Sequence, residues 1–296
     1  MTIGHRRNSD DYSVGWICAL PSENDKSTYT YGEIHGNNIV MTCLPSGGYG
    51  TTSAAVAAQQ MNTSFRSLQY RFMVGVGGGV PSESNDIRLG DIVVSRSEGK
   101  EPGVIQFPKR LAATLAAVLT NGELIQSPGY HSARLFSSSY PHPESKSTCD
   151  ECDQQWLVHR KARPSESPHV HYGLIASGNQ VIKDTIERDK LAKSRNILCF
   201  EMEAVGLMND FECLVVRGIC DYADLHKNKT WQPYATATAA AYVKTLLEIP
   251  PELDEELCRL FVTDPNENRR SLMARRGRPR KTHVNGSLRQ MHWPSH

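Results

Sequence analysis

The stretch His171–Asp224 reads HYGLIASGNQVIKDTIERDKLAKSRNILCFEMEAVGLMNDFECLVVRGICDYAD, and its alternation decides the fold class. His171–Ser177 reads as a strand and Lys183–Lys193 as a helix. Ile197–Phe200 reads as a short strand, Glu203–Asn209 as a helix and Cys213–Cys220 as another strand. Strands alternating with helices predict a layered α/β domain built on a mostly parallel or mixed sheet.

The pattern extends outward in both directions. Upstream, Val14–Leu20 (VGWICAL) reads as a buried strand. Thr28–Ile34 and Asn38–Leu44 form a hairpin pair turning at His35-Gly36-Asn37. Gly50–Met61 follows as a helix with Thr51 or Thr52 as its N-cap. Phe72–Gly75 and Asp91–Ser95 are strands flanking a glycine-rich loop, and Arg110–Leu119 is a short helix. Residues from about Ser127 to Pro168 are rich in Ser, Pro, His and charge and read as an irregular insertion. Downstream, Tyr234–Leu247 is an Ala/Thr-rich helix.

Composition bounds the function classes. With 296 residues, 39% hydrophobic and 22% charged, the chain has an ordinary globular balance and enough length to bury a sizeable core. No apolar run approaches the roughly 18–20 residues of a membrane span. The polar start, Met1 to Asp11, lacks a signal peptide's apolar stretch and is expected to be disordered. A cytoplasmic protein making no membrane contact is the expectation.

Most of the eight cysteines lie in or beside apolar runs, where a thiol behaves as a small hydrophobe. Cys149 and Cys152 form a C-x-x-C pair followed by His169 and His171, which raises structural zinc as an alternative. H-x-H misses the usual H-x(3–5)-H ligand spacing, and no second C-x-x-C exists. A reduced loop pair is therefore the preferred reading, and no metal or cofactor is expected.

In open α/β sheets, ligands collect beyond the carboxyl ends of the strands. Pro21-Ser22-Glu23 follows VGWICAL, and Gly75-Val76-Gly77-Gly78-Gly79 follows Phe72–Val74. Gly178-Asn179-Gln180 follows HYGLIAS, Glu201-Met202-Glu203 follows Ile197–Phe200, and Asp221 follows CLVVRGIC. Carboxylates, amides and a glycine loop at one sheet edge suit a small-molecule site. The glycines fail the G-x-G-x-x-G fingerprint because Val80 stands at the third glycine, and no G-x-x-x-x-G-K-[ST] loop is present.

LPSGGYGTTSAA, FMVGVGGGVP, IRLGDIVVS, HYGLIASGNQVIKD, LCFEMEAVGLMN and VVRGICDYAD, in that order, resemble the nucleoside phosphorylase superfamily. The closer likeness is to the version heading fungal NLR-type multidomain proteins, and it spans about Tyr12 to Leu247. The resemblance implies a three-layer α/β/α sandwich with a central mixed sheet. It also implies cleavage of the bond between a purine and its ribose, often in a homo-oligomer that completes its pockets across subunits.

By the same resemblance, Asp221 faces the purine N7 and protonates the leaving base, which requires a shared or neutral carboxyl. Glu203 accepts the ribose hydroxyls, Met202 packs on the sugar, and Asn179 borders the base. Ser177, Glu201, Gly77 and Gly78 complete the expected binding set. Hexameric phosphorylases hold phosphate through an Arg and a Ser beside the glycine loop, and the matching positions are Met73 and Val76. Hydrolytic relatives place a general-base glutamate after the first strand, where Glu23 stands. Hydrolysis is thus the expectation. A phosphate site at the helix start, Thr51 and Thr52, and a nucleoside-sensing module without turnover are the alternatives.

The chain departs from this pattern in two places. Only Asn24–Thr28 separate the ALPSE segment from the next strand, where relatives carry a helix of several turns, and a second shortening falls near Gln106–Pro108. Beyond Pro250, domain organisation changes to a linker and a basic tail. Arg269–His296 holds seven Arg and one Lys and no acid, against a formal net charge of +1 for the whole chain. Within it, Arg276-Gly277-Arg278-Pro279 resembles an AT-hook, which implies a weak DNA contact in an A·T minor groove or a nuclear-import patch.

Overall fold

A computed structural model describes residues 2–3, 7–18, 29–44, 50–96, 126–143, 149–208, 211–227 and 229–248. Among the described residues, nine strands form one mixed sheet and three α-helices pack on it. The strands are β1 (Thr2–Ile3), β2 (Val14–Cys18), β3 (Thr30–Ile34), β4 (Asn37–Cys43) and β5 (Tyr70–Gly79). They continue with β6 (Ile92–Ser95), β7 (Val170–Ser177), β8 (Ile197–Glu201) and β9 (Leu214–Asp221). The helices are α1 (Thr51–Ser64), α2 (Thr185–Arg195) and α3 (Gln232–Leu247). The predicted helix Arg110–Leu119 lies outside the described residues.

Alternation along the central strands makes the layers. Val14, Trp16, Phe72, Val74, Leu214 and Val216 point to one face and pack against Ala239, Tyr242, Val243 and Leu246 of α3. Ile17, Met73 and Val215 point to the other face and meet Ala54, Ala58 and Met61 of α1. The fold is therefore the three-layer α/β/α sandwich expected from the sequence. The Ala/Thr composition of α3 follows from close approach, because a Cβ on Gly218 of β9 would overlap the Ala235 backbone.

The sheet adds a feature that periodicity does not carry. Its order is β1-β3-β4-β2-β5-β8-β7-β6-β9, and β5 also pairs in parallel with β9. Strands β5, β8, β7, β6 and β9 thus close into a ring. β5 runs through the glycines to Gly79, so the expected glycine loop is a strand. The reason is steric: a Cβ on Gly77 would collide with Cys199 Sγ, and one on Gly78 would come 2.7 Å from Asp221 Oδ1.

Three other expectations change. The helix predicted for Glu203–Asn209 is a single 3-10 turn, Ala204–Gly206, closed by Gly206 N–H to Glu203 O and Leu207 N–H to Ala204 O. Gly206 lies against the Thr51 backbone, where a Cβ has no room, and this contact holds the turn tight. The α1 N-cap is Gly50 at φ 90°, not Thr51 or Thr52. Part of the N-terminus expected to be disordered joins the sheet edge, with Thr2–Ile3 pairing antiparallel with β3.

The described residues of the insertion are irregular, as expected, with short 3-10 turns and a bridge from Phe136 to Leu157. It is fastened to the sheet through buried Asp91. That carboxylate accepts Arg163 Nη1 and Nη2 at 2.7 Å each, the His169 N–H at 2.9 Å and His171 Nε2 at 3.0 Å. Burial alone would raise the Asp91 carboxyl, but His171, Arg163 and the His169 N–H outweigh it and lower it to about 2.

Candidate active site

β5 lies between β8 and β9, and Gly78 is in register with both Phe200 and Asp221. The carboxyl ends of β8 and β9 are thereby brought to either side of one glycine. On the β8 side, buried Glu201 accepts the Glu203 N–H at 3.1 Å and the Ala204 N–H at 3.0 Å, so it caps the turn that carries Glu203. Arg217 of β9 is fully buried, donates from Nη2 to Glu201, and stands 3.3 Å from Glu203 Oε2.

This buried triad sets the charge of the site. Desolvation pushes the Glu203 carboxyl up, and Glu201 adds to the push while Arg217 opposes it. Opposite charge and hydrogen bonding from the two carboxylates keep Arg217 firmly protonated against its own burial. A full guanidinium charge in an apolar strand is tolerated only when paired in this way.

On the β9 side, Asp221 Oδ1 accepts the Ala223 N–H at 2.8 Å, and Lys227 Nζ lies 3.3 Å from Oδ2. Asp221 opens into a cleft of about 210 Å³ walled also by Leu89, Arg134, Cys149, Cys220 and His226. Glu201 and Glu203 are not among its walls. Next to it, burial pushes the Asp224 carboxyl up to about 6, with Arg188 opposing and Asp221 adding to the push. Arg188 donates from Nη1 to the Tyr222 carbonyl at 2.8 Å, tying α2 to the end of β9.

The remaining expected residues fall as follows. Ser177 pairs with Glu201 in the sheet and accepts the Val205 N–H at 3.0 Å. Asn179 reaches the start of α1, where its Oδ1 accepts the Thr51 N–H at 2.9 Å and Thr51 Oγ1–H at 3.0 Å. Met202 is half-buried between the two acids, and Thr52 is exposed on the first turn of α1. Glu23 and Arg276–Pro279 lie outside the described residues. His169 and His171 belong to the Asp91 cluster and not to the C-x-x-C pair.

Arg217, Asp224 and Arg188 were not expected from the sequence. Arg217 had a signal, a lone cation inside the apolar run Leu214–Cys220, which demands a buried partner. Asp224 and Arg188 had none, because only the placing of α2 beside the loop after β9 brings them within 4.0 Å.

A mixed sheet with carboxylates at the ends of β8 and β9, the two strands that flank the glycines of β5, defines an α/β protein. More particularly, the chain belongs to the Phosphorylase superfamily, which matches residues 16–248. It is 40% identical to a nucleotide-binding leucine-rich repeat (NLR)-like protein of Hyaloscypha variabilis over 291 residues, taking in 80% of this chain. The chain spans only 29% of that relative's length.

Among solved structures, it is similar to the Helicobacter pylori 5′-methylthioadenosine/S-adenosylhomocysteine nucleosidase at 14% identity and a TM-score of 0.46, covering 81% of this chain and 100% of that one. The Neisseria meningitidis nucleosidase of the same name gives 17% identity and 0.47, covering 80% and 97%. Futalosine hydrolase of Helicobacter pylori gives 16% and 0.46, covering 81% and 99%.

Proposed function

We propose that the chain cleaves the N-glycosidic bond of purine nucleosides or nucleotides by hydrolysis. The observation that carries the reading is the pairing of buried Glu203 with Arg217 across one glycine from Asp221, in a member of the Phosphorylase superfamily. Bond cleavage develops positive character on the ribose and negative charge on the departing base, and a site gains rate only by binding those charges more tightly than the ground state.

Glu203 accepts the ribose hydroxyls, and its bonds strengthen as the sugar turns cationic. Arg217 and Glu201 fix its carboxylate. Met202 covers the sugar, Asp221 delivers a proton to the base, and Glu23 activates the attacking water. Ser177 and Asn179 hold the surrounding backbone, the first on the turn carrying Glu203 and the second on the start of α1. Gly78 keeps room beside Asp221. The Thr51 N–H and hydroxyl are both taken by Asn179, which supports water over phosphate as the acceptor, since a helix start binds anions through free N–H groups.

The test is release of free base from purine nucleosides and nucleotides, followed chromatographically with and without phosphate. Base appears without phosphate, and Asp221→Asn lowers kcat by about 10²–10⁴-fold. Glu203→Gln lowers kcat/KM by roughly 10–100-fold, the worth of a hydrogen bond to a charged group. Strict phosphate dependence would replace hydrolysis with phosphorolysis. A second reading, a nucleoside-sensing head without turnover, is favoured by similarity to an NLR-like protein of which this chain spans less than a third. Calorimetric binding of a nucleoside with no base release from the folded chain would establish it.

A further inference from the structure

The insertion and the loop after β9 meet at a cluster that the reaction does not use. One ligand atom each from His142, Cys149 and Cys152 lies within 4.8 Å of the others. Ions bound at Zn–S of about 2.3 Å and Zn–N of about 2.0 Å hold tetrahedral ligand atoms roughly 3.5–3.8 Å apart, a contraction that side-chain rotation supplies.

The donors are chemically prepared. His142 Nδ1 is 3.0 Å from the Pro143 carbonyl, which can only accept. In the tautomer that donates from Nδ1 to that carbonyl, Nε2 is left for an ion, the arrangement metal-bound histidines adopt. A second imidazole stands beside the first. His226 is 7% exposed, and its Nε2 is buried with no hydrogen-bond partner. Its ring is fixed by stacking on Phe136 at 4.4 Å, and its centroid is 5.2 Å from that of His142. Two imidazoles on one tetrahedral ion place their ring centres about 5 Å apart, by the same Zn–N length. Cys149 Sγ lies 3.5 Å from the His226 carbonyl, so both sides of the cluster already touch.

We propose that His142, Cys149, Cys152 and His226 form a structural zinc site that clips the insertion to the loop following Asp221. The proposal reverses the expectation of a reduced loop pair, and it replaces His169 and His171 with a histidine seven residues before Cys149 and one far downstream. Each cysteine gives up its thiol proton to solvent as the ion binds, two protons per Zn²⁺. Four protein ligands close the coordination shell, so the ion binds no water for chemistry and acts by fastening chain. What it fastens is functional, since Cys149 and His226 both wall the cleft at Asp221. The site stands independently of the nucleosidase reading, because its readout is the metal.

The experiment takes the 296-residue chain, purified without chelator, to elemental analysis. One zinc per chain is expected, and Cys149→Ser with Cys152→Ser abolishes it. His226→Gln weakens zinc retention against a competing chelator by about tenfold or more. Cobalt exchanged into the wild-type chain shows tetrahedral ligand-field bands and thiolate charge transfer, a readout that decides the matter even where the double variant fails to fold. A folded wild-type chain without stoichiometric metal overturns the site. So does zinc retained by the double variant, or a Cys149–Cys152 disulfide in its place.

Discussion

At Arg217 a positive charge sits inside an apolar strand with no exposure, held by Glu201 and Glu203. Replacing it leaves two carboxylates buried without a counter-charge, which is more costly than the original pair was favourable. Arg217→Met is therefore expected to lose about 3–5 kcal/mol in urea unfolding. A loss under about 1 kcal/mol would show that water reaches the triad and that its burial matters little. The positions of Asp221 and Glu203 were legible because each follows an apolar run, and Asp221 does end β9 while Glu203 stands two residues past β8. Arg217 was harder to see, because within Leu214–Cys220 it reads as an interruption of a core strand. Only the register of β5 between β8 and β9 shows that the interruption points at the acids.

The start of α1 shows how elements specify one another. Its first N–H is satisfied from 128 residues away by Asn179, and its first carbonyl is overlain by Gly206. Gly206→Ala would drive a methyl into the Thr51 backbone, an overpacking that costs about 1–3 kcal/mol. Thermal unfolding should report it as a fall of roughly 3–10 °C, and an unchanged midpoint would mean that α1 can shift to accommodate it. The helix itself was legible from Gly50–Met61, but its cap was not. Local chemistry offers Thr51 and Thr52 as caps, whereas the fold supplies an amide from β7's far end. The same limit explains the helix expected after Glu203, since nothing local shows that Gly206 is pinned from outside.

At the scale of the whole molecule, the irregular insertion depends on Asp91. Its carboxyl is lowered to about 2 in the fold against an ordinary 3.8, so folding is favoured by its ionised form. That contribution is complete above about pH 4 and disappears as the pH falls from about 4 to about 2. A shift of this size is worth about 2 kcal/mol. Urea midpoints measured across that range should fall for the native chain, and Asp91→Asn should flatten the slope while lowering stability near neutrality. An equal slope in the variant would assign the acid sensitivity elsewhere. The order of β2 to β9 and of α1, α2 and α3 was readable from alternation, and so was the layered architecture. Ring closure was not, because β5 pairs on both edges with strands far along the chain, and periodicity records which face a residue takes but not its neighbour across the sheet.

That long-range closure has a consequence for how the chain is made. β5 spans Tyr70–Gly79 and its parallel partner β9 spans Leu214–Asp221. At a synthesis rate of about 5–20 residues per second, β9 leaves the ribosome roughly 7–30 seconds after β5. Throughout that interval the glycine-bearing strand has one edge without its final neighbour, long enough for holding chaperones to find it. Birth of this protein is therefore a waiting problem, solved only when β9 arrives.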